Sequence, residues 1–431
     1  MGGLKLRCIA GALILFPLFL IGCSHPRPAR QAMCHLPSLP LRVERPDGTR
    51  ALSFSDTLRS RLTPGRSRGE QAAKPEDMLV LSGGGKWGSY GAGFLQAWKG
   101  VPRFKTVTGV STGALQGTFA LLGRTLPPDD RILQPGDDFP ALPADRSNLD
   151  DLVAGYTISR EKTLLASHGG ELGVLRKGSF GDLAPLRTRI ERLITPGTLR
   201  DVAAAGDEDR RFYVGLLNAD TGFAEAVDMT ALASRARTGD AEAVRSCYID
   251  TLLAASSEPV GALPVFIDDQ MYLDAGVRFG VFLEEVAAAV RPPGAGAAVT
   301  PPAERPNVYM IVNGDMSIAA EESPRPRWSA LTVAKRSMTL VTDQIYLFST
   351  DRVADWSRDR ANFYFSYARG WGDHRWQGQS CRDWQKLDKA EAKPLQFYPR
   401  MMKCLIDFGR ERRRTRPWDA RPALTTSLNS G

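Results

Sequence analysis

Gly109-Val110-Ser111-Thr112-Gly113 is the stretch of this chain whose chemistry is most readily stated. Phe104 to Thr108 alternate apolar and polar residues and are rich in aromatic and β-branched types, which reads as a strand. Ala114 to Leu122 reads as a helix. A strand that breaks sharply into a helix through G-x-S-x-G holds its serine on a strained turn with the side chain exposed. Gly109 and Gly113 lack a Cβ and leave room for that turn. Ser111 is therefore a candidate nucleophile at the positive end of a helix dipole. Without the flanking elements the same residues would be a glycine-rich turn carrying a solvent serine.

A second pattern, Ser82-Gly83-Gly84-Gly85-Lys86-Trp87-Gly88, follows the apolar run Met78–Leu81. Backbone N–H groups in such a loop, placed before a helix, bind anions. Facing a serine nucleophile, the anion is the oxyanion of a tetrahedral intermediate. The candidate donors are Gly83, Gly84 and Gly85, with Thr112 after the nucleophile. A nucleotide-binding P-loop is disfavoured because Trp87 stands where Ser or Thr is needed. The spacing of a dinucleotide fingerprint is met, but the second strand ends Thr106-Val107-Thr108 without the required acid.

The elements that must position these groups run strand, glycine loop, helix, strand, serine turn, helix. Tyr90–Trp98 supplies the first helix, with Phe94, Leu95 and Trp98 on one stripe. The unit has the length of a βαβ crossover, whose parallel strands deliver both loops to one sheet edge. Further strands are expected at Arg211–Leu217, Val265–Leu273 (a strand or a hairpin around Asp268-Asp269) and Val308–Val312. Helices are expected at Phe180–Ile194, Tyr248–Ser256, Trp328–Phe348 and from Pro399 to Arg413. Alternating strands and helices predict an α/β fold with a mostly parallel sheet covered on both faces. Residues 124 to 150, with Pro127, Pro128, Pro135, Pro140 and Pro143, read as a long irregular insertion, either a lid or a surface loop.

Taken together, Gly83-Gly84-Gly85-Lys86-Trp87-Gly88, Gly109-Val110-Ser111-Thr112-Gly113 and Tyr272-Leu273-Asp274-Ala275-Gly276-Val277 resemble the motifs of the patatin-like phospholipases. That family has a G-G-G-x-[KR]-G oxyanion loop, a G-x-S-x-G elbow and a distal D-G-[GA]. The resemblance extends through Phe212–Asn218 and Ala254–Pro259 and covers roughly residues 76 to 410. Trp87 replaces the basic residue, although Lys86 is adjacent, and Ala275 replaces the first glycine of D-G-[GA]. The resemblance implies a three-layer α/β/α fold and a lipid acyl hydrolase of phospholipase A or lysophospholipase type. It further implies a Ser111–Asp274 dyad, no metal or organic cofactor, and a phospholipid or other lipid ester as substrate. Asp274 ends an apolar strand, where a carboxylate has little structural purpose, and desolvation there would make it a better base. Asp268 and Asp269 read as turn residues, and Asp220 is a further carboxylate in view. Two alternatives stay open. One is a Ser-His-Asp esterase using His374, the one of four histidines placed to follow an acid. The other is a catalytically silent lipoprotein that holds a lipid or a partner, for which Ala275 is the motive.

The rest of the chain bears on where such chemistry would occur. Residues 1–22 read as a signal peptide, with Lys5 and Arg7 before an apolar core from Ile9 to Leu20. Leu20-Ile21-Gly22-Cys23 resembles a bacterial lipobox, which implies lipidation of Cys23 and, with Ser24 following, export to the outer membrane facing the periplasm. A net charge of +8 then points to a membrane surface, and nucleic acid is excluded as a partner outside the cytoplasm. Residues 23–75 read as a Pro/Arg-rich tether, 76–320 as the catalytic domain, 321–410 as its C-terminal helical part and 411–431 as a basic flexible tail. Arg410, Arg412, Arg413, Arg414 and Arg416 there could clamp anionic headgroups or lie solvated. Cys34, Cys247, Cys381 and Cys404 would be oxidised in such a compartment. Of three pairings, the one that joins Cys381 to Cys404 is favoured because both lie near the C-terminus. No C-x-x-C pair or histidine cluster suggests a metal.

Overall fold

The computed structural model describes residues 25–28, 32–40, 54, 57, 77–282, 305–317, 329–356 and 361–419. The signal peptide, Cys23 and most of the tether lie outside the described residues. The strands are β1 (Ser38–Pro40), β2 (Asp77–Leu81), β3 (Thr106–Gly109), β4 (Ala166–Ser167), β5 (Gly181–Asp182), β6 (Arg211–Asn218), β7 (Ala224–Asp228), β8 (Val265–Ile267), β9 (Gln270–Asp274), β10 (Asn307–Val312), β11 (Asn362–Tyr367), β12 (Arg375–Trp376) and β13 (Gln379–Ser380). The helices are α1 (Gly88–Ala97), α2 (Thr112–Leu122), α3 (Asn148–Tyr156), α4 (Gly170–Lys177), α5 (Ala184–Leu193), α6 (Pro196–Asp207), α7 (Met229–Ser234), α8 (Ala241–Ala255), α9 (Ala330–Trp356), α10 (Cys381–Glu391) and α11 (Pro399–Thr415).

The fold is a patatin-like α/β/α sandwich around a mixed sheet of order β1-β7-β6-β3-β2-β10-β11. Its centre, β6-β3-β2-β10-β11, is parallel. The antiparallel strands β7, β1, β9 and β8 extend it beyond β6. Central strands buried on both faces need apolar residues at every position. In β2, Leu79 and Leu81 join the core beneath α1, α2, α8 and α11, while Met78 and Val80 join a second core with Phe54, Phe282 and Met310. Gly93 and Gly409 let α1 and α11 cross closely, since a Cβ on Gly409 would overlap the Tyr90 carbonyl.

The register of β6 explains how residues distant in sequence meet. β3 pairs with Arg211–Val214 along one edge, and β7 pairs with Tyr213–Leu217 along the other. Gly109 is the last residue of β3, opposite Val214. Where β3 leaves that edge, β9 takes it over, with Asp274 opposite Leu216. Ser111 and Asp274 each lie two residues past the Gly109–Val214 rung, one by chain continuation and one by strand pairing.

Several sequence expectations change. The C-terminal part is not purely helical, because β11 adds a sheet strand beside β10. The helix expected from Phe180 starts at Ala184, since Gly181-Asp182 pairs as a strand and the Asp182 carboxylate accepts the Ala184 N–H at 2.6 Å. Helix α11 runs to Thr415, so residues 411–415 are not a tail. Arg412 is buried and pairs with Asp419 at 2.5 Å, Arg413 lies 4.7 Å over the Trp98 ring, and Arg410 donates to Gln96 at 2.6 Å. Three of the five arginines are thus structural. Residues 124–150 pack against the helical layer instead of covering a site. Arg131, buried, pairs with Asp151 at 3.2 Å and donates to Asn148 and Thr198 at 2.6 and 2.7 Å. Asp268 and Asp269 form the β8–β9 turn, both at positive φ as a two-residue hairpin requires. Cys381 and Cys404 are joined as favoured, and a second disulfide ties Cys34 to Cys247.

Candidate active site

Ser111 sits between β3 and α2 at φ 52°, ψ −124°, a conformation that L-residues resist. Packing enforces it. A Cβ on Gly113 would overlap the carbonyls of Leu81 and Ser82, and one on Gly109 would overlap Gly113 itself. Tyr156 locks the first turn of α2, its hydroxyl donating to the Thr112 carbonyl at 3.0 Å and meeting Thr112 Oγ1. The Ser111 side chain is left half-buried and facing Asp274.

The glycine loop lies alongside. Gly84 has φ 140° and Gly85 φ 53°. Among the described residues the N–H groups of Gly84, Gly85 and Thr112 donate to no protein acceptor. Gly83, also expected as an oxyanion donor, is different. Its N–H donates to the Gly280 carbonyl at 3.2 Å, so Gly83 holds the loop in place and has no free donor. Gly83 is needed there for space, since a Cβ would come 2.9 Å from Ser111 Cβ and overlap the Tyr346 hydroxyl.

Asp274, 5% exposed, ends β9. Its carboxylate accepts the Gly276 N–H at 2.7 Å, and the Ser111 side chain lies close enough to lower its pKa. Burial pushes its pKa up to about 7, against the lowering by the neighbouring Ser111 hydroxyl and the Gly276 hydrogen bond, and the charge of Glu258 raises it further. Ala275 keeps a negative φ in the turn after Asp274, so the glycine of the family motif is not required by this backbone.

Residues that sequence reading missed complete the site. Asn313, at the carboxyl end of β10, donates its N–H to Ser82 Oγ and its Nδ2 to the Ser82 carbonyl, both at 2.7 Å. Gln116 Nε2 links Asn313 Oδ1 at 3.1 Å to the Gly88 carbonyl at 2.7 Å. This network fixes the glycine loop to the sheet and to α2. The one available signal was the position of Asn313 at the carboxyl end of a parallel strand, where sites of open α/β sheets gather. Tyr346 of α9 packs on Gly280 and Gly83, and burial beside Asp274, Glu258 and Asp343 holds its hydroxyl protonated far above the ordinary range. Gln396 Nε2 donates to Glu258 at 3.2 Å, and its loop is pinned by Glu161, whose carboxylate accepts the N–H groups of Leu395, Gln396 and Phe397 at 2.7 to 2.8 Å. No sequence pattern marked these.

Ser111 and Asp274 open onto one cavity of about 750 Å³. Its lining includes the apolar side chains of Leu115, Phe119, Leu165, Phe180, Ile190 and Leu252 and the charged ones of Lys86, Asp315, Asp343 and Arg382. His374 is not on this wall. Its Nε2 meets Asp407 at 2.9 Å and its Nδ1 meets Glu411 at 3.2 Å, against Phe408 of α11. Asp220 pairs with Arg27, and Asp268 accepts the N–H groups of Cys34, His35 and Leu36. Neither reaches Ser111. Among the described residues no group of His, Cys, Asp and Glu has the arrangement of a metal site.

Residues 79–287 match the family model described as patatin-like phospholipase. The chain carries a patatin-like phospholipase domain. No curated protein matches the chain. Ser111, Asp274 and the glycine loop fall inside the matched span, whereas Asn313, Tyr346 and Gln396 lie beyond it, just after β10, in α9 and in the loop before α11.

Proposed function

We propose that the protein is a serine hydrolase of lipid carboxylic esters. The observation that carries this reading is Ser111 beside the buried Asp274 carboxylate, both on the wall of one cavity whose lining holds apolar and polar side chains. Ser111 Oγ attacks the ester carbonyl while Asp274 takes its proton. The N–H groups of Gly84, Gly85 and Thr112 receive the oxyanion. Asp274 then protonates the departing alcohol, and in the second half it deprotonates the water that releases the acyl group from Ser111. A base with a pKa near 7 is half ionised at neutral pH, which suits both proton transfers. The apolar lining residues suit the acyl chain and the charged ones the alcohol side.

The protein acts outside the cytoplasm in this reading. Two disulfides suit an oxidising compartment. Lipidation of Cys23 would hold it on a membrane, with outer-membrane placement following from the lipobox-like sequence. Among the described residues no helix is long and apolar enough to cross a membrane.

A fluorophosphonate probe should label wild type and leave Ser111→Ala unlabelled, with hydrolysis of a soluble short-chain ester lost in parallel. His374→Ala should retain the activity. Folded wild type that neither reacts with the probe nor turns over any ester would establish the silent-lipoprotein alternative instead.

A further inference from the structure

Between β4 and β5 the chain leaves the domain as a small finger, residues 166–182. Its neck is two residues wide on each side, with Ser167 opposite Gly181 and Ala166 opposite Asp182. Helix α4 forms its tip, bounded by glycines in the left-handed region, Gly169, Gly170 and Gly178. Leu172 and Leu175 lie on one face of α4 at i, i+3 spacing, 66% and 54% exposed. A helix that only decorated the surface would turn such residues inward. Leu263, 36% exposed, stands beside Gly178 at the base of the finger. Arg176 and Lys177, both exposed, close the same helix, and among the described side chains neither has a carboxylate partner.

Two further observations say what this face meets. The first is the course of the N-terminal chain. His25 Nε2 bonds the Arg176 carbonyl at 2.9 Å, and its ring lies beside Gly178. Arg27 is held by Asp220 and by the Asp269 carbonyl, so this entry point is pinned. Cys23 precedes His25 by two residues in the sequence. The second is the cavity. The return strand of the finger bonds its wall, Phe180 N–H to the Val260 carbonyl at 2.9 Å and Gly181 N–H to the Gly261 carbonyl at 3.1 Å. Phe180, Val260 and Gly261 all line the cavity that holds Ser111.

We propose that this finger, with Leu263 beside it, is the face on which the protein rests on an anionic lipid surface. Leu172, Leu175 and Leu263 enter the headgroup boundary and Arg176 and Lys177 meet its negative charge, the combination by which interfacial helices bind. The face orients the domain so that the cavity wall at Phe180, Val260 and Gly261 lies next to the lipid contact. The proposal rests on the hydrolase reading only for its purpose. Binding can be measured with no turnover at all.

The test uses full-length Cys23→Ser, Ser111→Ala protein, so that neither a lipid on Cys23 nor hydrolysis intervenes. Its sedimentation with phosphatidylcholine vesicles containing phosphatidylglycerol is compared with that of finger variants. Leu172→Asp with Leu175→Asp should lower the partition coefficient by on the order of a hundredfold. Arg176→Gln with Lys177→Gln should lower it by about tenfold at low salt on the anionic vesicles and leave pure phosphatidylcholine unaffected. Leu172→Trp with Leu175→Trp should tighten binding, which guards against loss by misfolding. With Ser111 restored, the aspartate pair should keep hydrolysis of a soluble ester and lose that of vesicle lipid. Unchanged partitioning in the aspartate and tryptophan pairs would overturn the proposal. Self-association of wild type in sedimentation velocity, abolished by the aspartate pair, would overturn it as well by making a second copy the occupant. If wild type hydrolyses no ester but the partition differences hold, the hydrolase reading falls and the docking face stands.

Discussion

Asp274→Asn tests the site through stability as well as rate. The Asp274 carboxyl is enclosed next to Ser111, and burial moves its pKa from 3.8 to about 7. In the unfolded chain the same group titrates near its ordinary value. The folded state therefore holds a proton that the unfolded state has lost between these two values. The resulting stability is fully present below about pH 4 and is lost as pH rises through about 7. A shift of about three units at about 1.36 kcal/mol each amounts to roughly 4 kcal/mol of strain in the ionised site above pH 7. Asparagine has the same shape, can still accept the Gly276 N–H, and does not ionise. The variant should match wild type near pH 4 and be more stable by roughly 4 kcal/mol at pH 8, with the gap opening between. Its ester hydrolysis should fall by about three orders of magnitude, because a general base is missing. Wild-type kcat/KM should rise with unit slope and level off above about pH 7. The measurements are denaturant unfolding of both proteins from pH 4 to 8 and a pH–rate profile on a soluble ester. A gap that stays flat with pH, or a variant that keeps its activity, would refute this account of Asp274.

Glu258→Gln removes a negative charge that raises the Asp274 pKa, so the acid limb of the pH–rate profile should move to lower pH; an unmoved limb means that Glu258 does not sense Asp274. The Cys34–Cys247 disulfide closes a loop with a sequence separation of 213 residues. Replacing both cysteines by serine should cost about 5 kcal/mol of stability on the chain-entropy account, read by denaturant unfolding under non-reducing conditions. Cys23→Ser should abolish lipid incorporation and move the protein out of the membrane fraction after a high-salt wash, and retention would mean that another segment anchors it.

The sequence alone determined the parts whose chemistry is local. Gly109-x-Ser111-x-Gly113 between a strand and a helix can fold in few ways, because only glycine fits where Gly113 meets the Leu81 and Ser82 carbonyls. The glycine loop after β2 was legible for the same reason, as was the alternation of strands and helices that gives the sandwich. Asp274 was legible as a carboxylate out of place at the end of an apolar strand, and a family motif marked it. Its closeness to Ser111 was decided by the sheet. β9 takes the edge of β6 that β3 gives up, a pairing between residues some sixty apart that no local pattern encodes. The loss of Gly83 as a donor turned on one backbone bond to Gly280, nearly two hundred residues away in the chain. The arginines near the C-terminus read as a loose basic tail because charge runs are usually solvated. Trp98, Gln96 and Asp419 took three of them into the packing. Asn313, Tyr346 and Gln396 are ordinary residues in ordinary sequence surroundings. They belong to the site only because β10, α9 and the loop before α11 close over the edge of the sheet, and burial and long-range hydrogen bonds are properties of the folded chain.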